Sequence, residues 1–209
     1  MPKNSIIINE IAYNLDELEA FAWQLLVRGG AKSKDGFHTM TVATTGQDGL
    51  PTLRTVVLRK ASETAKSLFF HTDARSRKFA DLEKQSKVTV LLYDPHRRIQ
   101  MMLKMTAVLH VNNDKSDERW AATNAQSRLG YMTLDAPNTP SIAPTVGYEA
   151  RFANTEPTSA ESEPFRKNFA VIECQATALE FLFLNRSGNR KAVFQYDNGA
   201  CTQKTWRVP

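Results

Sequence analysis

With 209 residues, 42% of them hydrophobic, the chain is long enough to bury one core of its own, and a single domain over 1–209 is expected. No apolar run approaches the roughly 18 residues that cross a bilayer, and residues 1–21 lack the basic and apolar blocks of a secretory signal, so no membrane partner and a cytoplasmic location are expected. The net charge of +5 suits nucleic acid or a small phosphorylated ligand equally. The two cysteines, Cys174 and Cys201, form no CxxC or CxxH spacing, which leaves a disulfide framework or a metal site without support.

Residues 1–34 read as an N-terminal helical segment. Within it, Asn14 is an N-cap, Asp16 and Glu17 occupy the first turn, and Leu15, Leu18, Phe21, Ala22, Leu25 and Leu26 repeat at helical spacing up to a stop at Gly29-Gly30. The period then falls to two. Strands are expected at 37–45, 52–60, 67–72, 87–94 and 98–111, the first two joined through GQDGLP as a hairpin. A short helix from Ser76 to Lys84 follows the third strand, and a longer one covers 113–129. The proline-rich stretch 132–168 reads as a long irregular connection. Strands return at 168–185, 190–196 and 202–209, the last two turned by Asp197-Asn198-Gly199. About eight short strands, mostly adjacent in sequence, make the fold class mainly β: an antiparallel β-barrel with peripheral helices.

Cations gather in two places. Arg54 and Arg59 lie on the second strand, five residues apart, and therefore on opposite faces. Arg75, Arg77 and Lys78 crowd the start of the helix after the third strand. Basic residues there oppose the helix dipole unless an anion sits between them. Taken alone, the segment is equally an ordinary solvated turn capped by Ser76. Arg97-Arg98 reads as a solvated turn tip, and the Met101, Met102, Met105 group as core or subunit contact. His38, His96 and His110 have no partner spacing that supports catalysis and read as structural or exposed.

Taken together, GLPTLRTVVLRK, LFFHTDARSRKFADLEKQSKVTVLLYD and RRIQMMLKMTAVL resemble the FMN-binding half of the pyridoxamine 5'-phosphate oxidase family, whose pattern is an Arg-x-Val-Leu-Leu-Lys strand, an aromatic-Thr pair, a Ser-Arg-Lys triplet and an Arg-Gln pair. The resemblance covers about residues 35–111 and continues weakly at Ser127-Arg128-Leu129-Gly130 and in the closing Trp206-Arg207-Val208-Pro209. It implies an FMN-binding split barrel that works as a homodimer, with the cofactor FMN at the subunit interface. It also implies that Arg54, Thr72, Ser76, Arg77 and Lys78 hold the phosphate, and that Thr55, Val56, Val57, Arg59, His71 and Gln100 lie along the flavin.

The substrate side departs from that pattern. The family's Arg-Leu-His-Asp-Arg motif is replaced by Gly188-Asn189-Arg190-Lys191-Ala192, and its Lys at the end of the FMN strand by Arg59. Thr123 stands where a substrate-phosphate Arg is expected, while Ser127 is retained. Ser127 and Arg190 remain as candidate substrate contacts, with no catalytic residue assigned. The implied function is an FMN oxidoreductase with a divergent substrate site. The alternative is a non-catalytic flavin or haem binder for storage or sensing. A nucleic-acid module is disfavoured, because basic and aromatic residues do not interleave as on an RNA-binding sheet.

Overall fold

The computed structural model describes residues 4–209; the first three residues of the expected N-terminal segment lie outside it. That segment is not helical throughout. It opens with a small hairpin, β1 (Ile6–Ile8) and β2 (Ile11–Tyr13), whose turn residues Asn9 and Glu10 both have positive φ. Helix α1 (Leu15–Ala31) then starts in a complete capping box: the Asn14 side chain accepts from the Asp16 and Glu17 amides, and Glu17 returns a bond to the Asn14 amide.

Gly29 and Gly30 do not end α1, which runs through them. They let it approach the sheet. A Cβ on Gly29 would lie 2.7 Å from the Phe37 carbonyl oxygen, and one on Gly30 would lie 3.1 Å from the Lys60 backbone.

The strands are β3 (Thr39–Thr45), β4 (Pro51–Val57), β5 (Lys60–Ser62), β6 (Ser67–Asp73), β7 (Lys87–Asp94), β8 (Ile99–His110), β9 (Phe169–Phe183), β10 (Arg190–Asp197) and β11 (Ala200–Arg207). All pair antiparallel, in the order β11-β10-β9-β8-β7-β3-β4, with β6 joining β9 and β5 joining β6. The sheet curls into a split barrel. The expected strand at 52–60 is two pieces, because the chain turns away at Leu58 and Arg59. Asp197-Asn198-Gly199 does make the last turn, with Asn198 and Gly199 both at positive φ.

Strand β9 organises the sheet. From Val171 to Phe183 one edge pairs with β8, with a register shift opposite Lys104 and Met105. Its other edge is divided: Phe169–Gln175 pair with β6, and Ala178–Phe183 pair with β10.

The inward faces meet in one core containing Met40, Val42, Phe70, Val90, Met101, Leu103, Leu179, Phe181 and Phe194, closed at one end by Leu18, Trp23 and Leu26 of α1. Met101 and Met105 are core residues; Met102 faces outward and is half-buried. α1 is also tied down by a polar group. Trp23 Nε1 donates to the Tyr196 hydroxyl (2.9 Å), that hydroxyl donates to Glu19 (3.2 Å), and Lys66 pairs with Glu19 (2.7 Å).

Three further expectations are corrected. Arg97 is no solvated tip: it pairs with Asp35 and Asp94 and lies over the Phe37 ring. The helix expected over 113–129 is two helices, α3 (Asp114–Ala121) and α4 (Ala125–Arg128). It breaks because the Thr123 hydroxyl takes the Arg119 carbonyl, Asn124 caps α4, and the buried Arg128 guanidinium binds the Trp120 and Thr123 carbonyls. The 132–168 connection is irregular only in its first half. Short helical turns at Ala150–Ala153, α5 (Ser159–Ser162) and Glu163–Asn168 follow, held by a small cluster of Leu129, Met132 and Phe152.

Gly29→Ala should therefore destabilise the protein by about 1–3 kcal/mol through overpacking against backbone. Gly130→Ala, where a Cβ meets nothing within 4 Å, should change little. Thermal unfolding of the two variants beside the parent checks this; equal melting points would show that α1 shifts freely.

Candidate functional site

Alternation along β4 turns Arg54 inward, opposite Val42 of β3. Its guanidinium donates to Thr44 Oγ1 (2.7 Å) and lies 3.8 Å from Asp81 Oδ2, an oxygen that also accepts from the Thr44 hydroxyl (3.0 Å). Asp81 comes from α2 (Arg77–Lys84) and is fully buried. On β6, Thr72 is buried beside Arg54's end of the barrel; its hydroxyl accepts from Lys78 Nζ (2.8 Å) and lies 3.1 Å from Ser76 Oγ. Ser76 occupies the N-cap position of α2 but makes no capping bond, so its hydroxyl serves Thr72 instead. Arg77 is exposed in the first turn.

Electrostatics distinguish this cluster from a solvated turn. Burial holds the Lys78 ammonium below its usual range, and the Arg54 charge lowers it further against the pull of Asp73. Arg54 is likewise lowered by burial, with Asp81 opposing. No acidic residue occupies the first turn of α2. Part-buried cations beside an uncapped helix start form a site short of negative charge, and a phosphate supplies that charge together with acceptors for Lys78, Thr72, Ser76 and the first-turn amides. The residues thus fit the phosphate end of FMN. Arg75 does not join them. It binds Asp73 through two nitrogens and reaches Thr133 and Leu134, pinning the start of the long connection.

A second site lies on the other face of β6. There His71, Arg59 and Ser127 meet Arg119 of α3 around a pocket of about 190 Å³ at the α3–α4 break. His71 packs edge-on against Phe169, with ring centroids 4.8 Å apart, and its Nε2 is buried without a hydrogen-bond partner. Burial, and then the charges of Arg59 and Arg119, push His71 down to about 4. Tyr131 nearby is pushed up to about 12 by burial.

The remaining candidates lie elsewhere. Thr55 is exposed on β4 and is followed by half-buried Val56 and Val57. Among the described residues, β4 ends the strand order and pairs only with β3. Gln100 is half-buried on β8, paired with Tyr93 and Leu182 and separated from β4 by β7 and β3. Arg190 is exposed and folds back on its own turn, donating to the Gly188 and Asn189 carbonyls. Ser127 and Arg190 therefore line different places. Thr44, Asp81 and Arg119 had escaped sequence reasoning. Thr44 and Asp81 carry a readable signal, since each interrupts an apolar inward-facing row; Arg119 carries none.

A histidine held neutral makes stability acid-sensitive. With the folded pKa depressed below the usual value of 6.5, the unfolded chain binds the extra proton, so stability falls as pH drops from about 6.5 through about 4. The full effect is on the order of 3 kcal/mol. Urea unfolding at pH 7 and pH 4.5 should show a smaller pH-dependent loss for His71→Phe than for the parent; equal losses would mean that His71 does not titrate this way.

A family model described as the FMN-binding domain of pyridoxamine 5'-phosphate oxidase matches residues 20–111. A pyridoxine/pyridoxamine 5'-phosphate oxidase of Leptospira interrogans (serovar Lai) is 30% identical over 173 residues, 80% of this chain and 77% of that protein. The enzyme of that name from Psychrobacter sp. is 24% identical over 175 residues, 82% of this chain and 78% of that protein. Among solved structures, a pyridoxamine 5'-phosphate oxidase-related, FMN-binding protein of Nostoc punctiforme shares the fold with a TM-score of 0.70 at 20% identity, covering 90% of this chain and 96% of that one. PhzG of Burkholderia lata, solved with tetrahydrophenazine-1-carboxylic acid, does so at 0.63 and 16% identity, covering 93% and 90%. The chain belongs to the pyridoxamine 5'-phosphate oxidase-related family of FMN-binding split-barrel proteins.

Proposed function

We propose that the chain is an FMN-dependent oxidoreductase acting on a small molecule other than pyridoxamine 5'-phosphate, and that it works as a homodimer. The observation that carries the flavin assignment is the charge-deficient cluster of Arg54, Thr72, Ser76 and Lys78. These residues would hold the phosphate, with exposed Arg77 closing over it. The free edge of β4 at Thr55–Val57 offers backbone donors and acceptors to the polar rim of the ring. Bound FMN supplies two-electron chemistry by hydride transfer, which demands no nucleophile or general acid from the protein. A binder for storage alone has no use for a second cavity, whereas here His71, Arg59, Arg119 and Ser127 line one on the opposite face of β6.

The outer sheet face supports pairing. Leu91 (37% exposed) and Tyr93 (47%) of β7 stand beside Met102 and Gln100 of β8, and Leu182 of β9 continues the row. A second copy covering this face would bury the apolar row and carry Gln100 toward its partner's flavin.

FMN should bind at least about 100-fold more tightly than riboflavin, since two charge-assisted hydrogen bonds contribute about 1.5–3 kcal/mol each. Arg54→Ala with Lys78→Ala should remove that preference and leave the flavin-free chain folded. Fluorescence titration measures both ligands, and equal affinities in the parent would refute the phosphate cluster. Light scattering should give a dimer for the parent and a monomer for Leu91→Glu with Met102→Glu; a dimer in the variant would place the interface elsewhere. Oxidation of pyridoxamine 5'-phosphate should stay well below about 1 per second, because the chain lacks the Arg-Leu-His-Asp-Arg motif and Arg190 is engaged with its own turn. Ordinary turnover in an oxygen-consumption assay would contradict the divergent substrate site.

A further inference from the structure

Asp81 is a buried carboxylate whose hydrogen bonding is incomplete. Its Oδ2 accepts from the Thr44 hydroxyl (3.0 Å), while its Oδ1 is buried with no hydrogen-bond partner. Arg54 stands near enough to supply one. Its Nη2 is 3.8 Å from Oδ2. Among the described residues its side-chain hydrogen bonds go only to Thr44 Oγ1 (2.7 Å) and, at 3.5 Å, to the Val42 carbonyl, which leaves N–H donors to spare. A guanidinium and a carboxylate that meet freely close into a two-pronged pair at about 2.8 Å. Here the pair stays open, and the Thr44 hydroxyl bridges it, accepting from Arg54 and giving its proton to Asp81. The sheet puts it there. Arg54 lies opposite Val42, so Thr44, two residues along β3 on the same buried face, is its diagonal neighbour.

We propose that Thr44 is a positioning residue: its hydroxyl is a spacer that holds Arg54 short of a closed pair with Asp81, so that the guanidinium remains available to the FMN phosphate. The inference rests on reading the cation cluster as the phosphate site. A closed pair would satisfy Oδ1 and commit the Arg54 fork to Asp81. The phosphate would then have to break a part-buried ion pair to recover it. With the spacer in place, Asp81 still steadies the cation through space, but the hydrogen bond it receives comes from Thr44. The unmet oxygen is what this arrangement leaves behind, and a buried polar atom without a partner calls for such an account. Threonine suits the task because one hydroxyl accepts and donates at once. Valine keeps the shape of the side chain and removes both bonds.

The test uses the full chain, with FMN and riboflavin as probes in fluorescence titrations. Thr44→Val should lower FMN affinity about tenfold, the loss of one charge-assisted contact, and leave riboflavin affinity within about twofold of the parent. Thr44→Ser, which returns the hydroxyl, should restore the FMN affinity. In an Asp81→Leu background nothing draws Arg54 back, so there Thr44→Val should change FMN affinity by less than about twofold. A crystal structure of flavin-free Thr44→Val should show Arg54 closed on Asp81, with Oδ1 occupied at about 2.8 Å. The proposal is overturned if Thr44→Val binds FMN like the parent, if it weakens riboflavin equally, if the loss persists in the Asp81→Leu background, or if the pair stays open in the variant crystal. Should Thr44→Val not fold, crystals of the parent decide: a pair already closed on Asp81 overturns the spacer, and Thr44 bridging an open pair with FMN bound supports it. Equal affinity of the parent for FMN and riboflavin would instead strike the phosphate reading, and the flavin-free variant crystal would still decide the spacer.

Discussion

The divided edge of β9 is the constraint on which the architecture depends. One strand of 15 residues keeps β8 on one side from Val171 onward, yet serves β6 with its first half and β10 with its second. The shift opposite Lys104 and Met105 makes this possible, because an extra residue bends the strand and strengthens its twist. The bend falls between the stretch of β9 that pairs with β6 and the stretch that pairs with β10. With it, β6 stands apart from the main ladder, its Leu68, Phe70 and Thr72 face buried and its Phe69 and His71 face half-buried.

Adjacent residues on such a strand point opposite ways. Thr72 therefore joins the buried cation cluster, and His71, one residue earlier, joins the pocket under α3. The chain after β4 repeats the device, sending Arg54 inward and Arg59 to the far side. Two polar sites a strand's thickness apart can thus be built from neighbouring residues without sharing charges directly. Both are short of negative charge, in different ways: the inner one contains a carboxylate, Asp81, that steadies Arg54, and the outer one has none in its walls.

Much of this was legible in the sequence, and the limits are physical. Strand β7 and the Asn14 cap could be read directly, because alternation and capping are local signals. Arg54 and Arg59 do part, but because the chain leaves β4 after Val57 and passes to β6 at Arg59, which odd spacing on one strand does not foresee. Gly29-Gly30 misled, because glycine means a helix end when the chain must turn and close approach when a neighbour presses in, and only the neighbour distinguishes the two. The break at Thr123 was hidden for a similar reason: the buried Arg128 that takes the freed carbonyls is held by Ser162, which is remote in sequence. Thr158 and Glu161 did carry a legible capping box inside the stretch read as irregular. Arg119 looked like any other surface arginine of a helix, since its role depends on what α3 is packed against.

The long connection leaves and returns at one point. Asn168 donates its side-chain amide to the Tyr131 carbonyl (2.9 Å), its own carbonyl accepts from Ala74 (2.7 Å), and Arg75 holds Thr133 on the same spot. A loop whose two ends are fastened together exerts little leverage on what lies beneath it, and doubling its length costs only about 0.6 kcal/mol of closure entropy. The first part of that segment, 135–146, is therefore free to vary in length and composition while both sites stay in place, whereas Ser162, Glu163 and Arg166 further along hold α3 and α4. Relatives with this base can differ widely there, and a reporter peptide or a small inserted domain at 137–146 should be carried without disturbing the barrel.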